Sequence, residues 1–273
     1  MGLRVNTNIA SIGAQRNLYN VTNRLQGNFA RLSSGLRISN AADDAAGLGI
    51  SEKMRSQIRS FGVAGRNAMD GLSMSQTAEG ALGEVGNIVS RMRELAMQSA
   101  NGTLSQEDRT TIQAEVTALE AEITRISDET AFNGVNILDG SAGSVDIQVG
   151  LNSGEVISLD MTDDTDATGL AINALDVDDQ ANAVASLTLL DDALGTINTI
   201  RGAHGAAQNR LQSSIRSIAT VRENVSAAES RIRDVDIAFE TADMTRNNIL
   251  QQAATSILSQ ANAQPQLALS LLG

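Results

Sequence analysis

The sequence predicts a mainly α-helical fold: a long antiparallel helical bundle or coiled coil that carries a small β-hairpin and ends in two helices able to pair as a coiled coil. Three observations carry that expectation. The 273 residues are 42% apolar but only 2% aromatic, with no Trp, one Tyr, one Pro and no Cys, so burial must come from Ala, Leu, Ile, Val and Met, a helix-forming palette. Apolar residues recur at alternating spacings of three and four over long stretches, which places them on the seams of packed helices. In one short stretch the period drops to two, as in half-buried strands. A chain of this length forms one or two domains.

Taken in order, the first stripe is Leu18, Val21, Leu25, Phe29, Leu32 and Leu36. A second runs through Met74, Ala78, Ala81, Val85, Ile88, Met92 and Leu95, and a third through Ile112, Val116, Leu119, Ile123 and Ile126. Asn101-Gly102 separates those two, and Ser105 with Asp108 three residues on forms a capping box that starts the third helix. Helices joined by so short a turn run antiparallel. Turns at Asn133-Gly134 and Asp139-Gly140 lead into a β-hairpin at about 140–161, in which Val145, Ile147 and Val149 pair with Ile157, Leu159 and Met161 across Asn152-Ser153-Gly154. Residues 162–179, rich in Asp, Thr and Gly, read as a solvated loop or a worn-down insertion site. The longest seam follows, from Ala183 through Leu190, Ile197, His204, Leu211, Ile218, Val225 and Ile232 to Phe239. Its stretch from Ile197 to Phe239 predicts one unbroken helix of ~65 Å. The last stripe is Ile249, Leu250, Ala253, Ile257, Leu258 and Ala261.

Charge is distributed unevenly. The net charge of −12 equals the charge of residues 139–192 alone, which hold twelve acidic groups and no basic one, while residues 1–66 hold nine basic and three acidic groups. The acidic segment is expected to face outward into solvent, and the sparse basic stretch, without aromatics, argues against nucleic acid. No apolar run is long enough to span a membrane, so no membrane insertion is expected. The N-terminal stretch MGLRVNTNIASIGAQ has no apolar core of a secretory signal peptide.

No catalytic constellation emerges, and no enzyme, cofactor or metal site is predicted. Without Cys there is neither a thiol nucleophile nor a Cys-based zinc site, and the single His204 falls on a helix seam, where a packed imidazole is expected. A calcium-loop template started at Asp164 places Gly169 correctly but Leu175 where a bidentate Glu belongs. Gly47-Leu48-Gly49 lacks a third glycine and a preceding strand. Glu120 and Glu122, two apart on a helix, cannot converge.

The termini read differently from the middle. Their stripes are amphipathic but short of large side chains, so these helices should order only when paired with each other or with neighbouring copies. Amides crowd both stripes, including Asn8, Gln15, Asn28, Gln251, Gln260 and Asn262, and suit helix surfaces that meet several neighbours or water. Leu267, Leu269, Leu271 and Leu272 have no obvious core in a monomer. The pattern implies self-assembly.

Four stretches carry a family resemblance: RLSSGLRISNAADDAAGLGI at 31–50, RMRELAMQ at 91–98, FNGVNIL at 132–138 and NILQQAATSILSQANAQPQLALSLL at 248–272. With their order and the flanking helices, the sequence resembles bacterial flagellin over nearly its whole length, in a short form lacking the large variable outer domains. Ala42 stands where many relatives have Lys, a minor departure. The resemblance implies a structural subunit of the extracellular flagellar filament, exported by the flagellar type III apparatus through the filament channel and serving motility. It implies an inner tube domain of residues 1–45 and 238–273 and an outer tube domain of 46–237. Implied partners are other copies of the chain, the filament cap and hook-filament junction proteins, an export chaperone, Toll-like receptor 5 and, for the leucine-rich end, inflammasome sensors. Arg91, Leu95 and Glu115, with Ile88 and Met92, correspond to receptor or subunit contacts. Polymerisation would fall to Leu18, Val21, Leu25, Leu32, Leu36, Leu250, Ile257, Leu258, Leu269, Leu271 and Leu272. A hook-filament junction protein or a cytoplasmic coiled-coil adaptor are the alternatives; the hairpin and the Gln/Asn-rich, leucine-ended terminus argue against the adaptor.

Overall fold

A computed structural model describes residues 7–270, and their side chains through Pro265. Its elements are helix α1 (Ile9–Ser34), α2 (Ala45–Ser99), α3 (Gln106–Glu129), strands β1 (Ala131–Phe132), β2 (Val135–Asn136), β3 (Gly143–Gln148) and β4 (Val156–Met161), then α4 (Gln180–Arg233) and α5 (Ile237–Ser270). The chain divides into two compact units, residues 1–56 with 224–273, and residues 57–223. These divisions fall inside α2 and α4.

In the larger unit, α2, α3 and α4 enclose a core of Val85, Val89, Met92, Leu95, Ile112, Val116, Ile123, Leu190 and Ile197. The turn between α2 and α3 is secured at both ends. Ser105 accepts the Asp108 N–H while Asp108 accepts the Ser105 N–H, completing the capping box; hydrogen bonds from the Ser105 hydroxyl and then its N–H hold the Asp108 carboxyl below its usual range. Arg109, 6% exposed, donates to the carbonyls of Ser99 and Asn101, satisfying acceptors that the end of a helix leaves open.

The expected hairpin forms, antiparallel, with Val145 opposite Leu159 and Ile147 opposite Ile157. Ile157, Leu159 and Met161 are buried with Met74, Leu82, Ile137, Leu138 and Leu211. It lies so close to α2 that a Cβ on Gly71 would meet Ile147 at 2.8 Å. Ahead of it, Asn133 and Gly134 adopt φ of 51° and 79°, joining β1 to β2 by the mirror-image turn that hairpins favour.

Residues 162–179 depart from the expectation of a solvated loop. Asp163, Asp164, Asp176 and Asp179 are exposed, but Ala167, Leu170, Ile172, Leu175 and Val177 are buried in the three-helix core. The strap is tied down: Thr165 N–H donates to the Leu138 carbonyl at 2.9 Å. Gln113 donates to the Leu175 carbonyl and accepts from the Val177 N–H, at 2.9 and 2.7 Å. A segment without regular structure stays inside because its backbone groups find these partners.

The late seam also differs in one respect. It is buried from Ala183 to Ile218, but Val221 is 38% and Phe239 68% exposed, and the helix stops at Arg233 instead of continuing to Phe239. The interruption is specific. The Arg37 N–H donates to the Arg233 carbonyl and the Val235 N–H to the Gly35 carbonyl, pulling residues 234–236 into an extended bridge. Asp236 then accepts the N–H groups of Ala238 and Phe239 and starts a new helix, as capping acids do.

Candidate functional site

In the smaller unit α1 and α5 pair side by side and antiparallel. Asn8, the N-cap of α1, donates to the Ala261 carbonyl at 2.6 Å, and Ser11 donates to Asn262 at 2.7 Å. At the other end Arg31 stands 3.8 Å from Glu240. The facing seam of α1 is Ser11, Ala14, Leu18, Val21, Leu25, Asn28 and Leu32, and that of α5 is Glu240, Met244, Asn247, Gln251, Ala254, Leu258 and Ala261. Both keep the coiled-coil repeat. Within the seam the buried Asn247 donates to the buried Asn28 at 3.3 Å, a device that fixes register, because any slip would leave two buried amides unpaired.

The outward faces expose large apolar side chains among polar ones. Ile12, Tyr19 and Phe29 of α1 and Ile249, Leu250 and Ile257 of α5 are between 43% and 67% exposed. The terminal residues named from sequence therefore separate into two groups. Leu18, Val21, Leu25, Leu32 and Leu258 pack within the chain's own helix pair, and Leu36 lies in the bridge to Asp234. Phe29, placed in the first stripe by sequence, faces outward, as do Leu250 and Ile257. The side chain of Leu269, like Leu271 and Leu272, lies outside the described residues. The inward seam of α5 was hidden in the sequence because Glu, Asn, Gln and Ala fill most of its positions, while the larger Ile and Leu side chains sit on the outer face.

The second surface is on α2 and α3 of the larger unit. Arg91 pairs with Glu94 at 3.0 Å and with Glu115 at 3.1 Å; hydrogen bonds to these carboxylates raise its pKa above the ordinary guanidinium value. Arg91 and Glu115 are exposed and Ile88 is half-buried, whereas Met92 is fully buried and Leu95 is 2% exposed. Of the five residues singled out, Arg91 and Glu115 thus present the surface. Met92 and Leu95 support it from beneath.

His204 lies buried on the α4 seam, 3% exposed, and burial lowers its pKa against the opposing pull of Glu79, Asp160 and Asp163. In the acidic strap, Asp164 accepts the Asp166 N–H and Asp166 accepts those of Thr168 and Gly169, so these carboxylates stabilise turns. Among the described residues no group of three or more His, Asp or Glu side chains is placed to hold a metal ion, and no helix is long and apolar enough to cross a membrane.

Two helical regions bracketing the hairpin and strap match known families. Residues 5–143 match the bacterial flagellin N-terminal helical region, and residues 187–272 match the bacterial flagellin C-terminal helical region. The chain belongs to the bacterial flagellin family. It is 48% identical to a flagellin of Halalkalibacterium halodurans, over 98% of this chain and 99% of that one. It is 43% identical to the flagellar filament 33 kDa core protein of Treponema phagedenis, over 98% and 99%. Among solved structures, a Bacillus cereus flagellin aligns with a TM-score of 0.52 and 34% identity, covering 60% of this chain and 94% of that one. Between the two matched regions of this flagellin stand only residues 144–186, the hairpin and strap, so it is a short form without a large outer domain.

Proposed function

We propose that the chain is the structural subunit of the extracellular flagellar filament and has no enzymatic role. The observation that carries this reading is the outward apolar face of the α1/α5 pair, from Ile12 to Phe29 and from Ile249 to Ile257. Apolar surface left open along two paired helices marks an interaction site, and in a polymer its occupant is a second copy of the chain. The relative from Treponema phagedenis is named "Flagellar filament 33 kDa core protein". Residues 1–45 and 238–273 would form the inner tube around the channel and residues 46–237 the outer tube, with the acidic strap at the exterior.

The seam between α1 and α5 is thin, with Ala14, Asn28, Asn247 and Ala261 among its buried members. Ordering these helices costs ~1–2 kcal/mol per backbone residue, which so small a seam offsets only in part. Neighbouring copies would supply the rest, so polymerisation and ordering of the terminal helices are coupled. Export by the type III apparatus, with a chaperone, suits a subunit whose ends fold last, and the cap and hook-filament junction proteins would meet the same helices. Toll-like receptor 5 would read the Arg91 and Glu115 surface, and inflammasome sensors the leucine-rich end. Electron microscopy of the purified chain, seeded with filament fragments, tests the central proposal. Long tubular filaments are expected, and short rods or monomers would refute it.

A further inference from the structure

The turn between α2 and α3 contains an Asn-Gly pair whose surroundings favour a reaction of the chain with itself. Asn101, Gly102 and Thr103 are all exposed. Apart from its side-chain NH2, every polar group of Asn101 is held. The Asn101 N–H donates to the Gln98 carbonyl at 3.2 Å, and the Asn101 carbonyl accepts from Arg109 Nη2 at 2.8 Å and from the Leu104 N–H at 3.4 Å. Its side-chain Oδ1 accepts the Thr103 N–H at 3.2 Å. Among the described residues the Gly102 N–H has no acceptor. The bond to Thr103 folds the carboxamide back over Gly102 and so brings Asn101 Cγ beside the one free backbone nitrogen of the turn, which on glycine no side chain shields. The same Thr103 N–H polarises the Cγ carbonyl and is placed to stabilise the oxyanion formed on Oδ1 when the Gly102 nitrogen adds. Holding both groups in one turn supplies an orientation that a flexible chain lacks.

In that reaction the Gly102 nitrogen gives its proton to water and bonds to Asn101 Cγ. The Cγ–Nδ2 bond breaks, Nδ2 leaves as ammonia, and a succinimide ring closes. Water then opens the ring at one of its two carbonyls. Addition at the main-chain carbonyl of Asn101 breaks its bond to the Gly102 nitrogen, so the chain afterwards runs through Cγ as isoaspartate and a carboxylate is freed where the carbonyl stood. One water is consumed and ammonia is released, with no other co-reactant. Arg109 favours this direction of opening. Its guanidinium already donates to the main-chain carbonyl, polarising it toward attack, and it is in place to form an ion pair with the new carboxylate. The other Asn-Gly pair differs. Asn133 is held at φ of 51° in the turn between β1 and β2, and among the described residues no hydrogen bond polarises its side chain.

We propose that Asn101-Gly102 is a self-modifying site, at which the turn between α2 and α3 converts Asn101 to isoaspartate and Arg109 receives the new carboxylate. The chemistry is independent of assembly, and the product carries one more negative charge than the parent. To test it, the full-length chain is incubated at about pH 8.5, where more of the attacking amide loses its proton. Peptides spanning each Asn-Gly pair are followed by mass spectrometry, and isoaspartate is quantified by enzymatic methylation. Asn101 should gain about 1 Da several-fold faster than Asn133. It should also react faster than in the same chain unfolded in guanidinium chloride, a comparison that removes the intrinsic reactivity of the dipeptide. The isoaspartate share should exceed that of the unfolded chain, and Arg109→Gln should bring the share down toward the unfolded value. An Asn101 that reacts no faster folded than unfolded, or an isoaspartate share that Arg109→Gln leaves unchanged, overturns the proposal. If Arg109→Gln fails to fold, the parent's rate and isoaspartate share, each folded against unfolded, still decide it.

Discussion

At the scale of single residues, burial separates Arg91 from Leu95, although a linear motif presents them together. Arg91 lies in an exposed charge network with Glu94 and Glu115, while Leu95 is enclosed in the three-helix core. Exposed ion pairs contribute ~0–1 kcal/mol, and truncating a buried leucine costs ~2–5 kcal/mol. Arg91→Ala should accordingly keep the parent's thermal midpoint and lower the signal in a Toll-like receptor 5 reporter assay. Leu95→Ala should lower the midpoint, and its effect on the reporter should follow the fraction unfolded. A parental signal from Arg91→Ala would remove this surface from receptor recognition. The placement of Arg91 on the helix was legible from periodicity. The sequence held no comparable signal for Arg109, whose guanidinium closes the end of α2, because a helical arginine is ordinarily a solvated one.

Among the elements, those built on strong periodicity were legible and those built on partners across the chain were not. The capping box at Ser105, the turn at Asn133-Gly134 and the hairpin are local and appear where the sequence places them. The break between α4 and α5 escapes a reading by period, since the three-four alternation runs straight through it. It arises from backbone hydrogen bonds to residues nearly two hundred positions away, at Gly35 and Arg37. The strap escapes similarly: its buried residues, Leu170, Ile172, Leu175 and Val177, follow no helical period, and its many aspartates suggest solvent. Gln113 bonds the strap backbone on either side of Asp176, at the Leu175 carbonyl and the Val177 N–H, so Gln113→Ala should cost ~1–3 kcal/mol. Hydrogen exchange would report it as faster exchange of amides near Val177, with the α1/α5 pair unaffected. Unchanged protection there would mean that apolar burial alone holds the strap.

For the whole molecule, a composition poor in aromatics and rich in Ala yields two kinds of helix surface. In the larger unit the helices, hairpin and strap bury two apolar clusters within the chain. In the smaller unit one narrow seam is satisfied internally, and large apolar side chains on the outer faces stay exposed. Sequence periodicity located both terminal helices and assigned the α5 stripe to pairing within the chain or with other copies; within that stripe Leu258 faces α1, whereas Ile249, Leu250 and Ile257 face outward. On the function proposed above, these exposed apolar residues stand where the neighbouring copy would be. The most direct measurement follows from that distinction. Ile249→Asp with Ile257→Asp changes two exposed positions, where substitutions alter stability by only ~0.5 kcal/mol, and seeded polymerisation is followed by sedimentation. The variant should match the helix content of the unpolymerised parent and stay in the supernatant while the seeded parent pellets as filaments; a variant that pellets like the parent would show that the outer face of α5 does not drive assembly.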